Sequence, residues 1–323
     1  MVNIFFLILV SFFLAINMGG SGYSVSFAPS IGAGIIKKEI SVIFFTLFVL
    51  FGSLFAGINV ARTLSSKIVP IEILKEDVVL IILISSSISL FIANILKIPQ
   101  STSMITVGSY IGAGLYFKSI NLPLILKIFL SWILISFFSY FLTYSIGKKI
   151  YPPRFENLKI YEKLFLNKNR LEKFTLLTSL YSAFGIGTNN VANVVGPLYA
   201  AKIIYPYQGF LIFSFIFGIG GYIFGRKVVN TVGKEIIYIG YTSAALISLV
   251  ISSIIILCSV LGLPAPYVQF STFSILAIHT LKEGKKHYDT LNHPLSKKII
   301  KVWIITPILS GFISWFLLYF LKK

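Results

Sequence analysis

Apolar residues run along this chain in long blocks that do not alternate. Residues 3–18, 40–61, 78–96, 122–147, 207–225, 235–261 and 302–321 each approach or exceed the length of a spanning helix, roughly 20 residues. Transmembrane strands would be shorter and would alternate in hydropathy. A soluble fold built from such blocks would leave too much apolar surface bare. The pattern predicts an all-α polytopic membrane protein.

Polar interruptions break the blocks at particular places. Asn17-Met18-Gly19-Gly20-Ser21-Gly22-Tyr23-Ser24-Val25-Ser26-Phe27-Ala28-Pro29 adds glycines and serines without a charge, and apolar residues resume up to Lys37. The whole is too long for one span and reads as two helices meeting at an unwound or closely packed junction. Pro99-Gln100-Ser101-Thr102-Ser103 opens a short piece ending at Phe117, and a second short piece opens at Gly262 through Thr272. Both read as re-entrant or broken segments. The strongest interruption is Gly185-Ile186-Gly187-Thr188-Asn189-Asn190-Val191-Ala192-Asn193-Val194-Val195-Gly196-Pro197. An unpaired amide in hydrocarbon costs several kcal/mol, so such a cluster persists where it packs on protein, meets water or binds a ligand.

The interruptions are repeat-related. A shift of 168 lays residues 11–68 on 179–236 with 13 identities in 58 positions, against about 5 expected for so biased a composition. Gly19/Gly187, Pro29/Pro197 and Gly52/Gly220 are among them, and small gaps pair Pro99 with Pro264 and Trp132 with Trp303. The division is therefore residues 1–147 as membrane repeat 1, 148–173 as a cytoplasmic linker loop and 174–323 as membrane repeat 2. The basic loops 148–173 and 282–301 both belong on the cytoplasmic side by the positive-inside rule. One follows the last helix of its repeat and the other precedes it, so the topology is inverted. The expected fold is two inverted-topology repeats with broken helices and re-entrant hairpins, crossing the plasma membrane many times.

Composition removes several functional classes. The 323 residues have mean hydropathy +0.90 and net charge +18, but the charge lies in loops and reads as topology, not nucleic-acid binding. Cys258 stands alone, and His279, His287 and His293 have no metal-ligand spacing, so no metal and no cofactor is expected. No Ser–His or paired-carboxylate arrangement lies at membrane depth, which argues against an enzyme. The ten Asp and Glu all fall in links or at span ends.

The polar clusters define a candidate ligand site at the repeat interface. Gly20, Ser21 and Gly22 are expected to face Thr188, Asn189, Asn190 and Asn193, with Ser101, Thr102 and Ser103 at the start of one re-entrant helix and Gln269, Ser271 and Thr272 at the other. Glycine lets backbone N–H groups approach an anion, and hydroxyls and amides supply neutral donors. The competing account is tight helix packing by the glycines and plain helix capping by Ser101 to Ser103. Asn17, Asn189 and Asn193 are candidate ligands for a coupling ion. Were the ligand a dianion, its entry into a negative interior would cost about 4.6 kcal/mol per 100 mV and need cotransported Na+ or H+.

The paired Gly/Asn stretches and the Pro99-Gln100-Ser101-Thr102-Ser103 segment resemble the inorganic phosphate transporter family, which carries a duplicated Gly-Ala-Asn-Asp-Val-Ala-Asn-like signature and Pro-x-Ser-Thr-like re-entrant hairpins. Gly187-Thr188-Asn189-Asn190-Val191-Ala192-Asn193 matches closely. Gly19-Gly20-Ser21-Gly22-Tyr23-Ser24-Val25 is a decayed copy, and Pro264-Ala265-Pro266-Tyr267 departs from the second hairpin. The decayed copy looks like the bacterial sulfate permease branch. Gly22 and Asn190 stand where the family signature has Asp, the carboxylates that the resemblance associates with sodium and phosphate. Sulfate only accepts hydrogen bonds, so a site of neutral donors suits it better than phosphate. The resemblance implies a secondary active transporter importing sulfate by alternating access across the lipid bilayer, and it is compatible with a homodimer. A phosphate symporter of the same family and an uncoupled anion channel are the alternatives.

Overall fold

The structure is a computed structural model that describes residues 4–95, 100–150, 155, 157–162, 167–284 and 294–322. His287, His293, Pro99 and much of the 282–301 loop lie outside the described residues. Among those described, every regular element is a helix: α1 (Ile4–Gly32), α2 (Lys38–Lys67), α3 (Glu76–Ile95), α4 (Thr102–Tyr116), α5 (Leu122–Ile150), α6 (Leu158–Tyr161), α7 (Lys168–Asn190), α8 (Ala192–Ala200), α9 (Pro206–Ile239), α10 (Tyr241–Val260), α11 (Tyr267–Glu283) and α12 (Pro294–Leu321). Seven of them contain a stretch long and apolar enough to cross a membrane. The chain is an all-α polytopic membrane protein of two inverted repeats with re-entrant hairpins.

The contacts obey the duplication. α1 packs on α9 as α7 packs on α2, and α1 meets α3 as α7 meets α10. Each hairpin lies on the last helix of the other repeat, α3–α4 on α12 and α10–α11 on α5. The 15-residue α4 and the 17-residue α11 rise about 1.5 Å per residue, too little to cross a core about 30 Å thick.

Glycines make the central crossings. A Cβ at Gly19 would strike the Phe217 backbone and one at Gly187 the Val49 backbone; likewise Gly220 lies on Ile16 and Gly52 on Phe184. Both sets are related by the shift of 168. Small residues let helix backbones close in where lipid gives no hydrophobic drive for association.

Several helix boundaries differ from expectation: α9 runs past residue 225 to Ile239, α10 starts at Tyr241 and α12 at Pro294, and two further differences bear on the repeat. The first interrupted stretch is one continuous helix, α1, not two helices with an unwound junction. Its serines bond back within the helix, Ser24 Oγ to Gly20 O at 2.8 Å and Ser26 Oγ to Gly22 O at 2.9 Å, so no hydroxyl needs a break to find a partner. Its glycines are the close-packed junction. The second copy is interrupted only at Val191, between α7 ending at Asn190 and α8 starting at Ala192, and Val191 keeps helical dihedrals (φ −62°, ψ −32°). The second difference is α2, which continues past Arg62 to Lys67 through wider π turns at Ser53–Gly57 and Thr63–Lys67.

Candidate functional site

The hairpin tips set the site. Ser101 caps α4, its Oγ accepting from Met104 N–H at 3.5 Å. The tip before α11 is held by three hydrogen bonds from two helices. Trp132 Nε1 donates to Pro264 O at 2.7 Å. Asn189 Nδ2 donates to Leu263 O at 3.1 Å, and Asn189 Oδ1 accepts from Ala265 N–H at 3.0 Å. Gly262, at φ +71°, turns the chain out of α10 with little room beside Asn59 O, so a side chain there would be strained.

These anchors bring the starts of α4 and α11 to one narrow pocket. Ser21, Gly22 and Val25 of α1, Gln100, Ser101 and Thr102 of the first tip, Ile186 and Asn190 of α7, and Tyr267 and Val268 of α11 line it. All these residues are uncharged. First-turn N–H groups of a helix lack i−4 partners, and the helix dipole adds positive potential there. Two such ends meeting at one pocket favour an anion.

The candidate residues divide by what they touch. Ser21, Gly22, Ser101, Thr102 and Asn190 line the pocket. Ser103 lies behind it, donating to Asn189 Oδ1 at 3.2 Å. Asn189 is fully buried and also donates to Ser259 Oγ at 2.9 Å. It ties α7 to α4, α10 and the second tip. Thr188 Oγ1 bonds Gly185 O at 2.7 Å and Ser259 Oγ at 3.0 Å, inside the α7–α10 contact. Asn193 Nδ2 reaches Thr102 Oγ1 at 3.4 Å and Ser103 Oγ at 3.3 Å from behind α4. Gly20 faces Phe224 and Gly220 of α9, away from the pocket lining. Gln269, Ser271 and Thr272 lie further along α11 and outside that lining; Thr272 Oγ1 bonds Val268 O at 2.9 Å. Asn17 Nδ2 bonds Phe13 O at 2.8 Å.

The oxygens Asn190 Oδ1, Asn193 Oδ1 and Gln269 Oε1 are buried without a hydrogen-bond partner among the described residues. Orphaned buried oxygens are costly unless something fills them.

A second polar chain supports the pocket from below and was not read from the sequence. Tyr267 OH lies 2.8 Å from Ser182 Oγ, which donates to Ser26 Oγ at 3.3 Å, which donates to Gly22 O. Ser182 and Ser259 gave no signal because a serine in an apolar run usually bonds its own helix.

Residues 18–314 match the phosphate transporter family. The chain belongs to that family. It is 34% identical over 311 residues to the sulfate permease CysP of Bacillus subtilis, covering 96% of this chain and 86% of the permease. Human sodium-dependent phosphate transporter 2 is 28% identical over 150 residues, 43% of this chain and 22% of that one. A solved structure titled "The sodium-dependent phosphate transporter" superposes with a TM-score of 0.84 at 19% identity, covering 100% of this chain and 99% of the other. That likeness shows the fold. The family and these relatives are transporters, not enzymes, so the protein is a multi-pass membrane transporter.

Proposed function

We propose that the protein imports sulfate across the plasma membrane by cation-coupled alternating access, with the pocket between the starts of α4 and α11 as its substrate site. The observation that carries this reading is a pocket of uncharged residues at two converging helix N-termini. Sulfate is fully ionised near neutral pH and only accepts hydrogen bonds. Ser101 Oγ and Thr102 Oγ1 already accept from Met104 N–H and Asn193 Nδ2, which leaves their protons to donate forward. Ser21 Oγ now donates to Met18 O at 3.2 Å, and Asn190 holds an unpartnered Oδ1. Both groups turn easily, the hydroxyl about one bond and the amide by a flip, so an incoming anion meets donors from them as well. The sulfate permease relative, 34% identical, supports the same substrate.

Gly22 and Asn190 take the places of signature carboxylates, and a carboxylate here would repel a dianion. A cation must enter with the substrate to offset about 4.6 kcal/mol per 100 mV. Sodium fits a site of neutral oxygens and is supported by the sodium-dependent relatives. Of the three Asn proposed for it, Asn193 has an unpartnered oxygen, whereas Asn189 Oδ1 accepts from Ser103 Oγ and Ala265 N–H. The two repeats, 1–147 and 174–323, would rock about this site, joined by a cytoplasmic 148–173 loop, and the homodimer belongs to the same proposal.

The test is uptake of labelled sulfate into proteoliposomes. Accumulation above electrochemical equilibrium under an inward sodium gradient is expected. Accumulation under a proton gradient alone would replace sodium by H+. Equilibration without accumulation would make the protein a channel, and uptake of phosphate with no sulfate would make it a phosphate symporter.

A further inference from the structure

The two hairpin tips occupy equivalent places but present different chemistry. Ser101 precedes α4 and Thr102 begins it; Pro266 precedes α11 and Tyr267 begins it. The α4 side therefore offers two hydroxyls, while Pro266 lacks even an N–H. Tyr267, only 5% exposed, lines the pocket. Its one polar atom is spent on Ser182 at 2.8 Å, because Ser182 uses its own proton on Ser26. The hydroxyl chain ends on Gly22 O, so its protons all go to protein oxygens and none is left for a ligand.

We propose that Tyr267 is a specificity-determining residue, which replaces a second hydroxyl-bearing helix start by an aromatic wall and so selects a fully deprotonated tetrahedral oxyanion over one that keeps a proton. The inference rests on the oxyanion reading above. A hydroxyl both donates and accepts, so it can take the proton that phosphate retains near neutral pH. An aromatic wall with its OH committed elsewhere can do neither. On the opposite wall Ser101 Oγ and Thr102 Oγ1 each already accept one bond from behind, which leaves a single lone pair apiece for a phosphate proton, so the second helix start decides how well that proton is accommodated. Asn190 serves either anion, because its amide presents oxygen or nitrogen at will. The ring also takes up space that a threonine would leave open, in a pocket that is already narrow.

The experiment compares sulfate and phosphate Kd on the purified full-length protein, by calorimetry in detergent at pH 7. In Tyr267→Thr the preference for sulfate over phosphate is expected to fall at least tenfold. In Tyr267→Phe, which keeps the ring, it is expected to stay within threefold of wild type. An unmoved preference in a Tyr267→Thr protein that elutes as wild type on size exclusion overturns the inference, and so does a Phe variant that shifts as far as the Thr variant. Tyr267→Asn is larger and still polar; it is expected to move as Thr does and decides the matter if the Thr variant does not fold. Wild-type protein that binds neither anion overturns the oxyanion reading and this inference with it. Sulfate binding with an unmoved preference overturns this inference alone.

Discussion

The α1 stretch Gly19–Pro29 and the α7–α8 stretch Gly187–Pro197 descend from one motif and have parted company. Their glycine contacts remain interchangeable: Gly19 on Phe217 mirrors Gly187 on Val49, and Gly220 on Ile16 mirrors Gly52 on Phe184. Their polar residues do not. α1 is continuous and meets the pocket with Ser21 and Gly22, while the other copy is interrupted at Val191 and carries three Asn. The glycines therefore belong to the crossing of the repeats, which both copies need equally. The amides belong to the hairpin tip and the pocket.

The largest expected effect tests the shared part. Gly19→Ala and Gly187→Ala each place a methyl against backbone that has no flexible end to yield. Each is expected to cost about 3 kcal/mol, at the upper end of overpacking effects. Thermal unfolding followed by size exclusion in detergent measures it. A harmless Gly19→Ala beside a disruptive Gly187→Ala would break the comparison, because the decayed copy would then have decayed in structure as well as in chemistry.

The same contrast explains what was legible in the sequence. Block lengths located α3 and α5 to within a few residues, since apolar length is set by the bilayer and little else. The Gly/Ser run of α1 looked like a break because glycine either loosens a helix or admits a neighbour, and the neighbour, Phe217, lies 198 positions further on from Gly19. The pocket was legible as clusters of Ser, Gly and Asn. Which Asn faces it was not: Asn189 and Asn190 are adjacent in sequence and point to opposite tasks. Tyr267 stood out as a departure from the hairpin motif, but its role depends on Ser182, whose serine carries no pattern of its own.

The Asn pair gives the next effect. Asn189→Ala strips partners from Ser103 Oγ, Leu263 O and Ala265 N–H together. Buried groups left unpaired cost about 1–3 kcal/mol each in water-soluble proteins, and membrane interiors run lower, so a loss of about 2 kcal/mol in stability is expected. Asn190→Ala leaves that hub intact. It is expected to melt within about 0.5 kcal/mol of wild type, as substitutions away from structural features do, while sulfate binding weakens at least tenfold. Calorimetry and thermal unfolding on both variants check this. Retained sulfate affinity in Asn190→Ala would remove it from the site, and an Asn190→Ala protein as unstable as Asn189→Ala would erase the division between them.

The smallest effect sharpens the decayed copy itself. A Cβ at Gly22 first meets Ile186 Cγ2 at 3.2 Å and then Phe45 Cζ at 3.5 Å, both side-chain atoms that can shift. Gly22→Asp and Gly22→Asn therefore differ mainly in charge. At pH 7 the Asp variant is expected to bind sulfate about tenfold more weakly than the Asn variant, or about 1.4 kcal/mol. Acidification protonates the Asp and removes the repulsion, so the gap between the two variants should close as the pH falls. A gap that stays constant with pH would mean that shape, not charge, excludes Asp from position 22. The loss of the signature carboxylate in this copy would then say nothing about sulfate.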